Sequence, residues 1–447
     1  MTSDDVRVGV LSLHTSKETK AILNAVEALG HAPEWLREEN LVFRANRRGV
    51  ELEPDVDVVA NRLLLSNTDQ PAEELGIANT LAALRPMLNQ PAATSLAAHK
   101  IATAAHLGSR GLPLPDTVLA LSATRLNALR SEFGEEAVYK TAIGTHGGGA
   151  WKVGANEQVN SKVGKRRAFL QEFVSRNGDR PRDLRVYVVG DRVVGAMFRY
   201  APDDGWRTNV ALGGRVEDAT DTISDEAREL ARDAASIVGL DYAGVDLIEG
   251  KDGWYILEVN PTAGFKGLYE ATNVSPAPYI AQLAIERVGG TVDADRVREL
   301  AATLDDSLPA CTPLPDPETF EEPAVIGFTE RVTVSGTSGT KTVIGKADTG
   351  AARTSVDIRL AAEIGAGPIH TVTRVRTGSV RGSESRPVVD LVVGVGGNQH
   401  TVSANIQDRG HMSYPVLVGR DILKHYHLDV SRWVDEEREE QDVDREE

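Results

Sequence analysis

Ala243-Gly-Val-Asp-Leu-Ile-Glu-Gly-Lys-Asp-Gly-Trp-Tyr-Ile-Leu-Glu-Val-Asn-Pro-Thr-Ala-Gly264 decides how the first two thirds of this chain is read. The pattern predicts two short strands, Gly244–Ile248 and Trp254–Val259, around a polar turn, with Pro261 stopping the second. Side chains alternate along a strand, so Glu258 and Asn260 share a face, and a hairpin can bring Asp246 alongside them. Two carboxylates and an amide oxygen on one sheet face form a hard-oxygen cluster suited to Mg²⁺. The competing reading is a surface hairpin with ordinary polar positions. The apolar surroundings favour the cluster, because buried carboxylates need a partner or a metal.

Upstream the chain places further chemistry in order. Val6–Leu11, a helical pattern from His14 to Gly30 and a strand at Val56–Ala60 predict a small α/β domain over residues 1–94. It carries no Gly-x-Gly-x-x-Gly after its first strand, which removes a dinucleotide role. Residues 95–108 read as one helix bearing Lys100. A strand at 137–141 delivers Lys140, and Ile143-Gly-Thr-His-Gly-Gly-Gly149 follows at once. A lysine at a strand end before a glycine-dense loop can hold phosphate oxygens with bare backbone N–H groups; a flexible surface hairpin is the alternative. No Gly-Lys-Ser/Thr follows, so this is not a Walker loop. Phe169-Leu-Gln-Glu-Phe-Val174 reads as a strand. Residues 183–190 and 192–199 predict a hairpin across Gly190-Asp191, with Asp183, Arg185 and Arg199 at strand ends or on polar faces. Ser224 and Gly239 bracket a helix, and residues 276–288 a closing one.

The stretch 291–322 turns polar and then proline-rich, which predicts a linker. Residues 323–434 are dense in Val, Thr and Gly with short alternating runs, an all-β pattern. Residues 435–447 are almost all acidic or polar, as in a disordered tail.

The 447 residues carry a formal net charge of −17. That balance opposes direct nucleic-acid binding. Arginine outnumbers lysine roughly three to one, and a lysine-poor, acid-rich surface fits adaptation to high salt. The single cysteine, Cys311, excludes internal disulfides and cysteine-based zinc clusters. With no signal peptide and no apolar run long enough to span a bilayer, a cytoplasmic protein with no membrane association is expected.

Residues 95–290 resemble the ATP-grasp ligases, most closely the RimK-type amino-acid ligases. The resemblance rests on Lys100, Lys140 before the glycine loop, Gln171-Glu-Phe-Val174, Asp183-Leu-Arg-Val-Tyr-Val-Val-Gly190, Arg207-Thr-Asn209, Gly244-Val-Asp-Leu247 and Glu258-Val-Asn-Pro261. It implies an ATP-grasp α/β fold behind the small N-terminal domain, and ATP-dependent amide formation between a carboxylate and an amine. It also implies that Lys100, Lys140 and the glycines Gly147, Gly148 and Gly149 hold the ATP phosphates, and that Glu172, Phe173 and Val174 receive the base and ribose. Asp183, Arg207, Thr208 and Asn209 would complete the nucleotide contacts. Asp246, Glu258 and Asn260 would bind two Mg²⁺, or Mn²⁺. Arg199, with Arg185, would steady an acyl phosphate. The partners implied are a small amino acid, glutamate foremost, and a carboxylate acceptor on a protein or a small molecule, and a homo-oligomer is expected. A ligase for a small-molecule carboxylate with a non-catalytic β domain, and a nucleotide-binding regulator without turnover, are the alternatives. Continuous Gly147-Gly-Gly149 departs from the family's spaced glycines.

The second unit resembles the retropepsin-like domain called an ATP-dependent zinc protease, a frequent companion of RimK. Lys346-Ala-Asp-Thr-Gly-Ala-Ala-Arg-Thr-Ser355 and Met412-Ser-Tyr-Pro-Val-Leu-Val-Gly-Arg-Asp-Ile-Leu423 carry that likeness. It implies a mainly β barrel with Asp348 as the peptidase carboxylate. With one Asp-Thr-Gly, a complete dyad would need a second copy of the chain. The family name promises zinc, yet no His-Glu-x-x-His motif is present and His370, His400, His411, His425 and His427 are scattered.

Overall fold

The computed structural model describes residues 5–14, 16–66, 68, 70–144, 149–174, 181–202, 205–208, 214–314, 324–367, 369, 371–376 and 383–434. The chain divides between Asp316 and Pro317 into two compact units. Among the described residues no helix is long and apolar enough to cross a membrane. Gly147, Gly148, Asn209, His370 and the acidic tail lie outside the described residues.

The first unit begins with strand β1 (Arg7–Leu11), helix α1 (Lys17–Ala28), β2 (Ala32–Leu36), β3 (Val58–Asn61), α2 (Pro71–Leu84) and β4 (Met87–Leu88). The strands form one parallel sheet in the order β2-β1-β3-β4. Covered on both faces, the sheet is buried and apolar along Val8–Leu11 of β1 and Val58–Ala60 of β3. Val8, Val10, Val58 and Ala60 pack towards α1, while Leu11, Val59 and Leu63 pack with Ala78 and Leu81 of α2.

The helix expected over residues 95–108 is two: α3 (Pro91–Ala98) and α4 (Lys100–Gly108). His99 breaks them with an extended backbone, and its Nδ1 accepts the Ala102 N–H at 3.2 Å to cap the second. Lys100 is therefore the first residue of a new helix, not the middle of a long one. Next come β5 (Glu136–Thr141), β6 (Ala150–Gly154) and β7 (Arg166–Glu172), with β5 between its two neighbours in an antiparallel sheet.

The central sheet is also antiparallel. It comprises β8 (Arg182–Val189), β9 (Arg192–Tyr200), β10 (Arg215–Asp218), β11 (Tyr242–Gly250) and β12 (Gly253–Asn260), ordered β10-β9-β8-β11-β12. Helix α5 (Asp225–Val238) covers one face, started by the Ser224 side chain and stopped at Gly239, whose φ of 84° suits glycine. Leu184, Val186, Val245, Leu247 and Ile256 point towards it. On the other face Tyr187, Val189, Met197 and Tyr242 join a core with α1 and α6 (Ala277–Arg287). Asp183, Arg185, Arg199 and Asp246 share the parity of that second face and lie beyond the end of its apolar part.

The stretch read as linker carries a helix, α7 (Ala294–Ala301), capped by Asp293, with Val297 and Ala301 buried. Its sequence is so charged that three apolar residues carry its buried face.

The second unit is a closed barrel of six strands. Thr329–Ser335 pairs with Thr340–Ala347, which pairs with Val416–Val418, then Ser355–Asp357, Asn398–Gln407 and Ser383–Val395. The last returns to pair with Thr329–Ser335 and closes the ring. Closure leaves those strands no open edge. Its core is built of Val332, Val334, Val356, Val393, Ala404 and Val416. His425 precedes the strand His427–Asp429 and stacks on His400, with ring centres 5.3 Å apart.

Asn89 ties the parallel sheet to the central one. Its backbone N–H donates to Asp241 Oδ2 at 2.7 Å, its Oδ1 accepts the Asp241 and Tyr242 N–H groups at 2.8 and 3.1 Å, and its Nδ2 donates to Tyr242 O at 2.9 Å. Asn89 is fully buried with φ of 54°. Asn89→Ala strands several buried backbone groups and should lower unfolding stability by roughly 3 kcal/mol, measured as a shift in the denaturant midpoint.

Candidate active site

A cleft of about 860 Å³ runs through the first unit. One wall is the β5–β7 sheet, with Val138, Lys140, Gln171, Glu172 and Phe173. The other is the open face of the central sheet, with Asp183, Arg185, Arg199, Asp246 and Glu258.

Register places the charges. Asp183 lies opposite Arg199, Arg185 opposite Asp246, and Asp246 opposite Glu258. The last pairing depends on an irregularity: Leu247 faces Ile256 while Asp246 faces Glu258, so Leu257 is an extra residue. A bulge of this kind reverses the face on which later residues emerge. Without it Glu258 would oppose Val245 and enter the core beneath the sheet. Close approach is required nearby, because a Cβ on Gly244 would meet Ala263 Cβ at 2.5 Å, and one on Gly149 would meet Thr141 Oγ1.

The paired side chains form a buried net. Arg185 Nε and Nη2 donate to the two oxygens of Asp246 at 2.6 and 2.7 Å. Arg199 Nε and Nη2 donate to those of Asp183 at 2.7 and 2.6 Å, and Nη2 reaches Asp246 Oδ2 at 3.0 Å. Thr208 Oγ1 donates to Asp183 Oδ2 at 2.6 Å. Such forked pairs fix both direction and distance. Burial alone would raise the Asp246 pKa, but the adjacent Arg185 and Arg199 outweigh it and hold the carboxyl down at about 2. The same carboxylates raise both guanidinium pKa values against the effect of burial.

Around this net sit the two lysines. Lys100 Nζ donates to Glu258 Oε1 at 2.6 Å and to Gly144 O at 3.0 Å. Lys140 Nζ donates to Gln171 Oε1 at 2.6 Å. Burial pushes the Lys140 pKa down to about 8; Glu258 opposes the shift and Lys100 adds to it. Two paired carboxylates, two guanidiniums and the Lys100–Glu258 pair balance in charge, which leaves Lys140 as the net cation of this group. At the far wall Phe173 lies 6.1 Å from Trp206, edge to face, and Lys152 Nζ stands 4.0 Å over the Phe173 ring. Glu172 Oε2 accepts the Asp116 N–H at 3.3 Å. Val174 lines the same cleft, and Arg207 Nη2 donates to Ala150 O.

Asp246, Glu258 and Asn260 present two carboxylates and an amide on one sheet face. Asn260 spends its Nδ2 on Gly244 O and Asp246 Oδ2, at 3.3 and 3.4 Å, which leaves the amide oxygen as its ligand atom. This donor set fits magnesium. Among the described residues no cluster of three or more His, Cys, Asp or Glu side chains could hold a metal, and no finding supports zinc. Trp206 and Arg62, for which the sequence implies no role, also line the cleft, as does Gln171 at the head of the 171–174 stretch. A polar Gln171 inside the apolar run Phe169–Val174, and Arg62 inside Val58–Leu65, were the available signals.

In the second unit Asp348 Oδ1 accepts the Gly350 N–H at 3.0 Å. Among the described residues no second carboxylate is hydrogen-bonded to it. Thr354 is locked instead to Asp421, whose oxygens accept its N–H at 3.0 and 2.9 Å and its hydroxyl at 2.9 Å.

Comparison with known proteins gives a matching RimK-like ATP-grasp domain over residues 97–283. A match to the retropepsin-like aspartic endopeptidase RimB covers residues 366–439 and so begins after Asp348-Thr-Gly350. The tetrahydromethanopterin:alpha-L-glutamate ligase of Methanocaldococcus jannaschii is 36% identical over 211 residues, which is 45% of this chain and 71% of that protein. A probable alpha-L-glutamate ligase 2 of Hahella chejuensis is 29% identical over 299 residues, 63% of this chain and 96% of its own length. The solved ATP-grasp ligase PsnB, complexed with a phosphomimetic variant of a minimal precursor, Mg and ADP, shares the fold. It covers 64% of this chain and 100% of its own, with a TM-score of 0.52 and 21% identity.

The Asp183–Arg199 pair is nearly solvent-free. Asp183→Ala leaves a buried guanidinium short of its forked partner and should cost about 3–5 kcal/mol. Asp183→Ala with Arg199→Met should cost less than the sum of the two single changes. Urea unfolding of the four proteins in the cycle gives the coupling.

Proposed function

The chain belongs to the RimK-like ATP-grasp family of ATP-dependent ligases, and we propose that its own reaction joins glutamate, through its amine, to a carboxylate on a protein or peptide. The observation that carries this reading is the single sheet face on which Asp246, Glu258, Arg185 and Arg199 converge beside Lys100 and Lys140. The alpha-L-glutamate ligase relatives support the choice of amino acid.

In this reading Lys140 and Lys100 take the ATP phosphates, Lys100 exchanging its contact with Glu258 for a phosphate oxygen. Glu172, Phe173 and Val174 border the base, and Thr208 is oriented by Asp183. Asp246, Glu258 and Asn260 hold Mg²⁺, which when bound neutralises charge on the phosphoryl oxygens. An acceptor carboxylate oxygen bonds to the γ-phosphorus as the bond to the bridging oxygen breaks and ADP leaves. Arg199, fixed by Asp183, and Arg185, fixed by Asp246, stabilise the resulting acyl phosphate. The glutamate nitrogen then attacks the acyl carbon, the amine proton is lost, and inorganic phosphate departs. The retropepsin-like unit, acting through Asp348, trims what the ligase adds. That step requires a second Asp348 from another copy of the chain, so a homodimer is part of the proposal.

One observation favours a second acceptor. The relative that is 36% identical is named for tetrahydromethanopterin, a small molecule, so a coenzyme carboxylate is the alternative. Incubation with ATP, Mg²⁺ and labelled L-glutamate separates the two. Label entering polypeptide supports the first reading, label entering only small molecules supports the second, and label entering neither sinks both.

Asp246→Ala and Glu258→Ala should each lower Mg²⁺-dependent ADP formation about a thousandfold, with fold retained by circular dichroism. Nucleotide affinity should also weaken as pH rises above about 8. Lys140 loses its proton there in the free protein and must take one up to pair with phosphate, at a cost of up to about tenfold per pH unit. Calorimetry at pH 9 in two buffers should show proton uptake on Mg²⁺-ADP binding, and Lys140→Gln should abolish that uptake.

A further inference from the structure

Beyond Asn260 the cleft continues onto the parallel sheet. Strands β1 and β3 are neighbours there, and the chain leaves β1 for α1 on one face and β3 for α2 on the other. The crevice past their carboxyl ends is therefore a topological switch point, where open α/β sheets hold ligands.

Arg62 is the first residue after β3. It is only 2% exposed, its backbone N–H is fixed to Leu11 O at 2.8 Å, and its guanidinium lies 5.4 Å from the Phe265 ring centre. Among the described residues its buried Nε and Nη1 have no hydrogen-bond partner. Native interiors rarely leave such donors idle, and a guanidinium still less so. It lines the cleft together with His14, Ser16 and Glu18. Glu18 uses its Oε1 on the Phe265 N–H at 3.3 Å. The twelve-residue helix α1 starts in the same crevice. Ser16 caps only the Thr19 N–H, at 3.0 Å, and the first N–H groups of a helix have no partner within it.

We propose that Arg62 and the amino end of α1 form the subsite for a carboxylate of the incoming amino acid, one that passes through the reaction unchanged. This rests on the ligase reading above. The acceptor carboxylate is consumed at the phosphate, where Arg185 and Arg199 already stand. An amino acid joined through its amine keeps its α-carboxylate, and glutamate keeps its side-chain carboxylate too. Either needs a fixed cation away from the phosphate. Arg62 thereby selects amino acids over simple amines.

Calorimetric titration with Mg²⁺-ADP present tests this, using L-glutamate, its α-amide and its side-chain amide as probes. The wild-type chain should bind L-glutamate, and at least one amide about tenfold more weakly or worse. Arg62→Gln should weaken L-glutamate by a similar factor, bind that amide and L-glutamate alike, and leave ADP affinity unchanged. Equal binding of all three probes by the wild type overturns the proposal. So does failure to bind L-glutamate, or an Arg62→Gln protein with unaltered glutamate affinity or with ADP affinity reduced by the same factor. Should Arg62→Gln not fold, the amide comparison on the wild type decides alone. Arg62-dependent glutamate binding without any glutamyl product would sink the ligation reading and leave this subsite standing.

Discussion

Four charges on one sheet face constrain the first unit more than any other interaction. Asp183, Arg185, Arg199 and Asp246 are held in forked pairs at 2.6–2.7 Å on adjacent strands. None could be buried singly, since an isolated ion in the interior costs several kcal/mol. Together they demand that β8 be flanked by both β9 and β11 in a fixed register, which settles the order of the three middle strands of the central sheet. They also demand an apolar layer behind that sheet, supplied by α5, so that the charged parity faces the cleft alone.

The same net explains how two carboxylates share one sheet face. Asp246 and Glu258 emerge side by side, and two such neighbours would repel if nothing opposed them. Arg185 and Lys100 answer one each. The two carboxylates are thus paired and oriented on that face, and under the magnesium role proposed above the ion would exchange for these cations. Electrostatic preorganisation of this sort is what phosphoryl transfer rewards.

Much of this was legible in the residues. Alternation in 244–260 gave the hairpin, and the glycine between 183–189 and 192–199 gave the second. The retropepsin-like motif and short apolar runs gave the barrel. Other features had no local signal. His99 looks like any residue in an Ala-rich helix, and its break comes from the side-chain cap it offers. Helix α7 hides in a charged stretch because only Val297, Leu300 and Ala301 are apolar on its buried side. Arg62 reads as a loop arginine until the fold buries it at a crevice. These are tertiary facts: what decides each is which surface arrives opposite, and a single strand or helix does not contain that information.

The extra residue at Leu257 has a consequence for how this hairpin can vary. Along β12, composition and count are separate variables. Exchanging Leu257 for another side chain leaves the phase of Glu258 and Asn260 intact. Pairing it regularly with β11, so that the bulge is lost and Leu257 kept, shifts the frame by one, so both carriers of oxygen turn into the apolar layer while Val259 turns into the cleft. The side chain at that position is therefore free to drift, while the bulge and the extra residue can only persist or disappear together.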